Sequence, residues 1–399
     1  MNAMLRRCAQ MGGLAVLSGL LAGVGAWAFL VVLDAVTTLR MAQQWLVVGL
    51  PVAGVMTLWV VHRVSADSSR SNALVLKQLH RVDGGIPTTM APIVVVGTWV
   101  THLFGGSSGR EGTALQMSAS LTDAMSCRWR LDARDRRTLL AVAVAAGFGA
   151  VFGTPLAGVV HAMEVHARWR LRWSIVVPSV IAAFVGDFVV RLLGYDHTSF
   201  SAVSLDIDPS TFAACVVLGL GAGIVATGFV LATRGVRTVL RHTFKSAPVR
   251  AAAGGCVLVA LTAAFGTESQ GLSLPLLNDA MSGVQLGASA FLLKIIFTAV
   301  TSGSGFIGGE VTPLFVIGAT FGSAVATTIG LPGVATSALA FVAVFGAATH
   351  VPLAGAVMAI ELFGIDSFPH ALVVCIVAAL IARHPGLHTS PAHKDTFAS

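Results

Sequence analysis

Few residues of this chain have types and spacing that could do chemistry, and the densest group is Phe104 to Thr113, "FGGSSGREGT". Gly105, Gly106, Ser107, Ser108 and Gly109 disfavour continuous helix, whereas "TALQMSASL" from Thr113 is a good helical run, so the pattern predicts a helix starting near Glu111. The first N–H groups of such a helix have no acceptor within it, and its dipole end is positive, which makes an anion site. A glutamate placed there competes with the anion for the same amides. Once protonated it loses that attraction and can swing away, so one side chain couples proton binding to anion binding.

The same logic recurs in "GSGFIGGEVTPLF", Gly303 to Phe315. Gly303, Gly305, Gly308 and Gly309 break the chain, Pro313 suits the first turn of a helix, and Leu314 to Ala319 continue it. Two helix N-termini would then converge on one anion. Three other chemistries fit less well. Gly106-Ser107-Ser108-Gly109 has the GxSG form of an intramembrane serine protease, but Ser108 would need a base on a neighbouring helix and runs straight into Arg110 and Glu111. A nucleotide-binding loop is excluded by arginine in place of lysine and by the lack of a preceding strand. His161 and Glu164 could share a helix face, but His166 lies five residues from His161, so a metal site is not expected and membrane-edge histidines are the simpler reading.

The elements that must hold these groups are membrane elements. The 399 residues are 55% hydrophobic and 11% charged, with a mean hydropathy of +0.83, outside the range of soluble domains. Apolar runs long enough to cross a bilayer include Gly13 to Val36, Trp45 to Val61, Ile175 to Leu193 and Thr211 to Ala232. Met90 to Phe104, Thr113 to Ala124 and Thr312 to Gly322 are read as too short to cross, and they begin or end at glycine or proline breaks, which a membrane tolerates where they line a cavity. The net charge of +7 collects in "CRWRLDARDRR", "ARWRLRW" and "RGVRTVLRHTFKSAPVR", the pattern of cytoplasmic connections rather than of a nucleic-acid surface. Cys8, Cys127, Cys215, Cys256 and Cys375 show no CxxC spacing and read as buried small hydrophobes. Gly219 and Gly223, four apart, suggest close helix packing.

The chain also repeats itself. "AAGFGAVFGTPLAGVVHAMEV" and "FGAATHVPLAGAVMAIEL" each carry Pro-Leu-Ala-Gly with a glutamate nine residues after the proline, Glu164 after Pro155 and Glu361 after Pro352. Upstream, Glu111 precedes Pro155 by 44 residues and Glu310 precedes Pro352 by 42. The expected organisation is a first transmembrane repeat over 1–205, a second over 206–387 and a short polar tail over 388–399, with "GYDHTSFSAVSLDIDP" between the halves. Glycine-broken segments at corresponding places point to a transporter with its site at the repeat interface.

"GREGT", then "AAGFGAVFGTPLAG", then "GGEVTPLFVIGATFG" resemble the CLC family of anion channels and anion/proton antiporters over nearly the whole chain. The resemblance implies an all-α polytopic membrane protein of two inverted-topology repeats, with tilted, partly re-entrant broken helices. It implies a homodimer with one pathway per subunit in the inner (plasma) membrane, and neither an enzyme nor a cofactor-dependent protein. By it Glu111 is the gating, proton-coupling residue, and Gly109, Arg110, Gly112, Thr113, Val311 and Thr312 belong to the anion path. The serine motif of chloride members is replaced by Ser71 and Asn72 in "SRSNALV", and "GGIP" at Gly84 to Pro87 lies too close to Glu111 to serve.

Glu310 and Thr312 in "GGEVTP", with Val165 where chloride antiporters often carry a second glutamate, resemble the fluoride/proton antiporter branch. The implied cargo is therefore fluoride with protons, and chloride is the alternative. Fluoride needs several close donors in place of water, which the Thr312 hydroxyl, Asn72 and helix amides could supply. Glu310 could orient Thr312, accept a proton or cap the helix. The family's C-terminal tyrosine is absent, the single tyrosine being Tyr195; His388 in "PGLHTS" stands in that context, as a hydrogen-bond donor or an exposed tail residue.

Overall fold

The structure, a computed structural model, describes residues 2–64, 71–80, 85–167 and 173–382. The regular elements among these residues are helices, with one isolated bridge and no strand. The first eight helices are α1 (Asn2–Ala42), α2 (Leu50–Val64), α3 (Ser71–His80), α4 (Met90–Leu103), α5 (Glu111–Arg128), α6 (Ala133–Phe152), α7 (Pro155–Ala167) and α8 (Trp173–Leu192). After a connector without helix come α9 (Pro209–Thr243), α10 (Ala247–Phe265), α11 (Leu274–Met281), α12 (Ala288–Ser304), α13 (Val311–Ile329), α14 (Gly333–Thr349), α15 (Pro352–Phe363) and α16 (Phe368–Ile381). The second set repeats the first element for element, with a long opening helix, a short third one and a proline-started seventh.

Local chemistry sets the boundaries. The Asp132 carboxylate accepts from the Arg134 and Asp135 amides to start α6, which ends at Gly153 in the left-handed region. Asp208 does the same for α9 through the Ser210 and Thr211 amides, with Pro209 in the first turn. α14 ends at His350, at φ 60°, two residues before Pro352, as α6 ends at Gly153 two before Pro155.

Among the described residues six helices are long and apolar enough to cross a membrane, spanning Arg7–Ala42, Gln44–Val64, Trp173–Leu192, Pro209–Thr243, Ala247–Phe265 and Val311–Ile329. The last corrects the expectation for Thr312 to Gly322: the glycines and threonines that dilute its hydropathy lie inside the helix, packed on α14. Buried residues run without a break from Leu139 to Val151 in α6 and from Ala335 to Thr349 in α14, so these two helices form the protein's interior. Large apolar side chains such as Val24, Val52, Phe188, Ile224 and Val257 stay exposed on the outer helices, the face that lipid covers.

Glycine sites show how the helices run. A Cβ on Gly19 would meet Ala182 and Val185, and one on Gly23 would meet Gly186 and Val189, so α1 and α8 are parallel. Gly219 and Gly223 face Val374, Val377, Ala378 and Ile381, so α9 and α16 are parallel as well, and the packing expected of this glycine pair is present. Arg7 pairs with Asp135 at 2.6 Å, which brings the start of α1 to the basic block before α6. α1 and α8 therefore run away from that basic end, the connector lies at the far end, and α9 and α16 start there and run back. Corresponding helices of the two sets point in opposite directions.

The cysteines divide: Cys215 and Cys375 are buried as expected, whereas Cys8, Cys127 and Cys256 are exposed, because their positions fall on outward faces or at a helix end. A Cβ at Gly223 would lie 2.7 Å from the Ala378 carbonyl oxygen. Gly223→Val is accordingly expected to destabilise the protein by about 1–3 kcal/mol, read as a lower Tm in detergent, while Gly228→Ala, where nothing lies within 4 Å, leaves Tm unchanged or higher.

Candidate functional site

The two broken segments meet. The Gly109 amide donates to the Gly309 carbonyl at 2.6 Å and the Gly309 amide donates to the Gly109 carbonyl at 2.8 Å, an isolated antiparallel bridge in a helical protein. Each glycine lies over the other helix's N-terminus: a Cβ on Gly109 would be 2.9 Å from the Thr312 amide nitrogen, and one on Gly309 would be 2.8 Å from the Gly112 nitrogen and 3.2 Å from the Glu111 nitrogen. Only residues without a Cβ let these backbones approach so closely. The N-termini of α5 and α13 are thus fixed side by side, as the sequence predicts.

Glu111 is fully buried, and its carboxylate is seated on the other half's helix. Oε2 accepts from the Thr312 amide at 2.9 Å and from the Arg110 amide at 3.1 Å, and Oε1 accepts from the Thr312 hydroxyl. The carboxylate takes the position an anion would take at the start of α13, where unpaired amides and the helix dipole favour negative charge. Arg110, also buried, brings Nε to 3.8 Å from Oε1. Beside this group lies a cavity of about 30 Å³ walled by Arg110, Thr312, Thr198, Phe152, Phe200, Phe315 and Phe341, room for about one particle of water's size.

The bridge also corrects the register of the repeat. Gly109 pairs with Gly309, so Arg110 corresponds to Glu310 and Glu111 to Val311, one residue away from the match of Glu111 with Glu310 that spacing to the prolines suggests. Glu310 occupies the N-cap position of α13 but makes no side-chain capping bond, which removes helix capping from the roles open to it. Its place at the anion-binding end of the helix is filled by Glu111. One residue along a helix turns a side chain by about 100°, so Glu310 and Glu111 cannot serve as equivalents.

Of the other sequence candidates, Val311 and Gly112 flank the bridge, and the Thr113 hydroxyl bonds that of Thr98 at 2.5 Å within the bundle. Ser71 and Asn72 begin α3, with side chains outside the described residues, and His388 lies outside them altogether. His102 on α4 is the neighbouring base that Ser108 seemed to lack, at 3.5 Å from its hydroxyl. Its ring nitrogens nevertheless lie closer to carbonyl oxygens, Thr98 at 2.9 Å and Ser108 at 3.0 Å, than to the Ser108 hydroxyl. His161 is not at a membrane edge; its ring stacks on Phe148 at 4.8 Å, inside the aromatic cluster. His166 lies outside the described side chains, and the described residues hold no His, Cys, Asp and Glu group that could bind a metal.

Two features escaped the sequence reading. Glu164 at the end of α7 accepts from the Leu353 and Ala354 amides of α15 at 3.1 and 2.7 Å, and Glu361 at the end of α15 accepts from Leu156 and Ala157 of α7, both at 2.8 Å. Each helix thus caps the other, and the shared nine-residue spacing from proline to glutamate was the available signal. The second is Tyr195, whose hydroxyl reaches 3.5 Å from Arg110 Nη1 although it stands 85 residues away.

Known proteins share this architecture. The sequence signature described as "Voltage gated chloride channel" matches residues 53–383. A "Chloride/fluoride channel protein" of Pseudomonas syringae pv. tomato is 37% identical over 383 residues, covering 94% of this chain and 84% of that protein. A "Voltage-gated ClC-type chloride channel ClcB" of Citrobacter koseri is 28% identical, over 70% of this chain and 69% of its own length. The crystal structure of a CLC-type fluoride/proton antiporter superposes with a TM-score of 0.92 at 31% identity, covering 96% of this chain and 97% of that one. A slow cyanobacterial Cl−/H+ antiporter superposes at 0.79 with 19% identity over 93% and 94%, a likeness of fold.

The bridge makes its own demand. Gly309→Ala places a methyl group against backbone that cannot retreat without breaking the pair of hydrogen bonds, so a loss of about 1–3 kcal/mol is expected, measurable as a fall in Tm larger than that of an alanine at exposed Gly228.

Proposed function

The chain belongs to the voltage-gated chloride channel, or CLC, family, and from that premise we propose that it is a membrane anion transporter that exports fluoride in exchange for protons, with Glu111 as the gate. The observation that carries this reading is the buried Glu111 carboxylate seated on the Thr312 amide and hydroxyl. Ionised, the side chain is held there as an anion. An arriving fluoride competes for the same donors, and a proton on the carboxyl removes the charge that holds it, so release of the gate and entry of the anion are linked through one group.

Fluoride is favoured over chloride by the chemistry of the donors. A compact anion gains most from a few short hydrogen bonds, which the Thr312 amide and hydroxyl offer beside the adjoining cavity. The 37% identical relative named for chloride and fluoride, and the 31% identical fluoride/proton antiporter, support the same cargo. In this reading Gly109, Arg110, Gly112, Thr113, Val311 and Thr312 form the path at the two helix ends, Ser71 and Asn72 serve its other end at the start of α3, Glu310 tunes selectivity beside Thr312, and His388 supplies a C-terminal donor. The opposed helix directions support two inverted repeats over 1–205 and 206–387, with 388–399 as tail. The basic end faces the cytoplasm under the positive-inside rule, in the inner membrane, and the protein works as a homodimer with one path per subunit.

Purified protein in liposomes decides the matter. Fluoride efflux followed with an ion electrode is expected to drive proton uptake, with chloride efflux slower by about tenfold or more. Chloride moving as fast as fluoride, or fluoride moving without protons, replaces this reading with a chloride or broad-anion channel of the same family. Glu111→Gln keeps the shape and removes the titratable group, so coupled flux is expected to drop by about tenfold or more; undiminished coupled exchange in that variant removes Glu111 from the mechanism.

A further inference from the structure

Asp34 lies on α1 inside the span Arg7–Ala42, where an ionisable side chain is costly and needs a partner. Tyr195, the single tyrosine of the chain, enters from the connector between the two halves and faces Asp34 on α1. The same hydroxyl stands 3.5 Å from Arg110 Nη1. The chemistry of the three groups fixes the direction of the chain: a guanidinium only donates, a carboxylate only accepts, and a hydroxyl does one of each. Arg110 therefore donates to Tyr195, and Tyr195 to Asp34. Burial raises the Tyr195 hydroxyl above its ordinary value, so it keeps the proton it donates.

The other edge of the guanidinium faces the site. Arg110 Nε is buried without a hydrogen-bond partner, sits 3.8 Å from Glu111 Oε1, and belongs to the wall of the cavity that Thr312 and Thr198 also line. Arg110 thus stands between two carboxylates, Asp34 reached through a hydroxyl and Glu111 reached across a gap. The nearby His197 does not compete for it, since its ring meets Tyr195 edge-on at 5.8 Å and its Nε2 lies 3.3 Å from Asp187, which also holds Arg191.

We infer that Tyr195 and Asp34 are positioning residues for anion entry, holding the Arg110 guanidinium open to the cavity beside Thr312 and keeping it from closing onto the Glu111 carboxylate. The inference rests on the reading of Arg110 and Thr312 as part of the anion path. Without the Tyr195 hydroxyl nothing on that edge limits how closely the guanidinium draws onto Glu111, with which it already pairs at 3.8 Å, and an entering anion then loses a charged donor. Neither Tyr195 nor Asp34 touches the anion, so the effect falls on entry and not on the exchange step.

The test is the concentration dependence of initial fluoride flux in liposomes for the full-length protein, Tyr195→Phe, Asp34→Asn and the double variant. Tyr195→Phe keeps the ring packed against the buried cluster to which Phe29, Leu30 and Leu272 belong, and Asp34→Asn keeps the shape, so both are expected to fold with a Tm near that of the parent. Each is expected to raise KM for fluoride by about threefold to tenfold with turnover at saturation within about twofold, and the double variant is no worse than the more severe single one, because the two residues act through one chain. An unchanged KM, or a loss of turnover at unchanged KM, overturns the inference and leaves these residues a packing role. Fluoride flux without proton movement in the parent protein defeats the coupled-exchange reading instead, and leaves this comparison intact because it needs only anion entry. Where flux is too small to fit, calorimetric titration with sodium fluoride makes the same comparison, weaker binding in both variants being the supporting result and equal binding the opposing one.

Discussion

The arrangement depends on one contact, the pair of backbone hydrogen bonds between Gly109 and Gly309. A helix that starts inside a membrane exposes amides that neither lipid nor its own turn can satisfy. Bringing two such starts together concentrates the problem: amides that need an acceptor receive the Glu111 carboxylate. The bridge fixes their spacing, and the glycines leave the space in which a carboxylate or an anion is received.

The protein answers the demand for acceptors three times with its own glutamates. Glu111 caps α13, Glu164 caps α15 and Glu361 caps α7, each reaching across from the opposite half. The three differ in their surroundings. Glu164 and Glu361 each span two successive amides and lock α7 and α15 together as a reciprocal pair. On α13 Glu111 meets a single residue, Thr312, and it also accepts from the Arg110 amide, next to a cavity and a guanidinium. One device of helix termination thus serves two different surroundings.

Inverted halves explain why the pair of helix starts is asymmetric in chemistry. At corresponding positions next to the bridge one half carries Arg110 and Glu111 and the other Glu310 and Val311, a cation against an acid and a carboxylate against an apolar side chain. Within a backbone frame that repeats, these four positions make the two helix starts chemically unequal. The connector between the halves then adds Tyr195 and the wall residues Thr198 and Phe200, which no repeat could supply twice.

Sequence alone determined the class of the protein, because bilayer-spanning hydropathy and glycine-broken segments are local properties that composition and spacing carry. It determined the starts of α5 and α13 and that the two broken segments come together, since helix-breaking residues and repeats are written in neighbouring residues. It misplaced the repeat register by one residue, because distances along a chain tolerate a loop of different length whereas a hydrogen-bonded bridge does not. It set His161 at a membrane edge and counted three exposed cysteines as buried, since the side of a helix that meets lipid or protein depends on which helices surround it. Only the tertiary structure decided where Glu111 rests, which helices Glu164 and Glu361 cap, and that Asp34, Tyr195 and Arg110 form one line. These are contacts between residues far apart in the chain, and their partners are chosen by the packing of opposed halves.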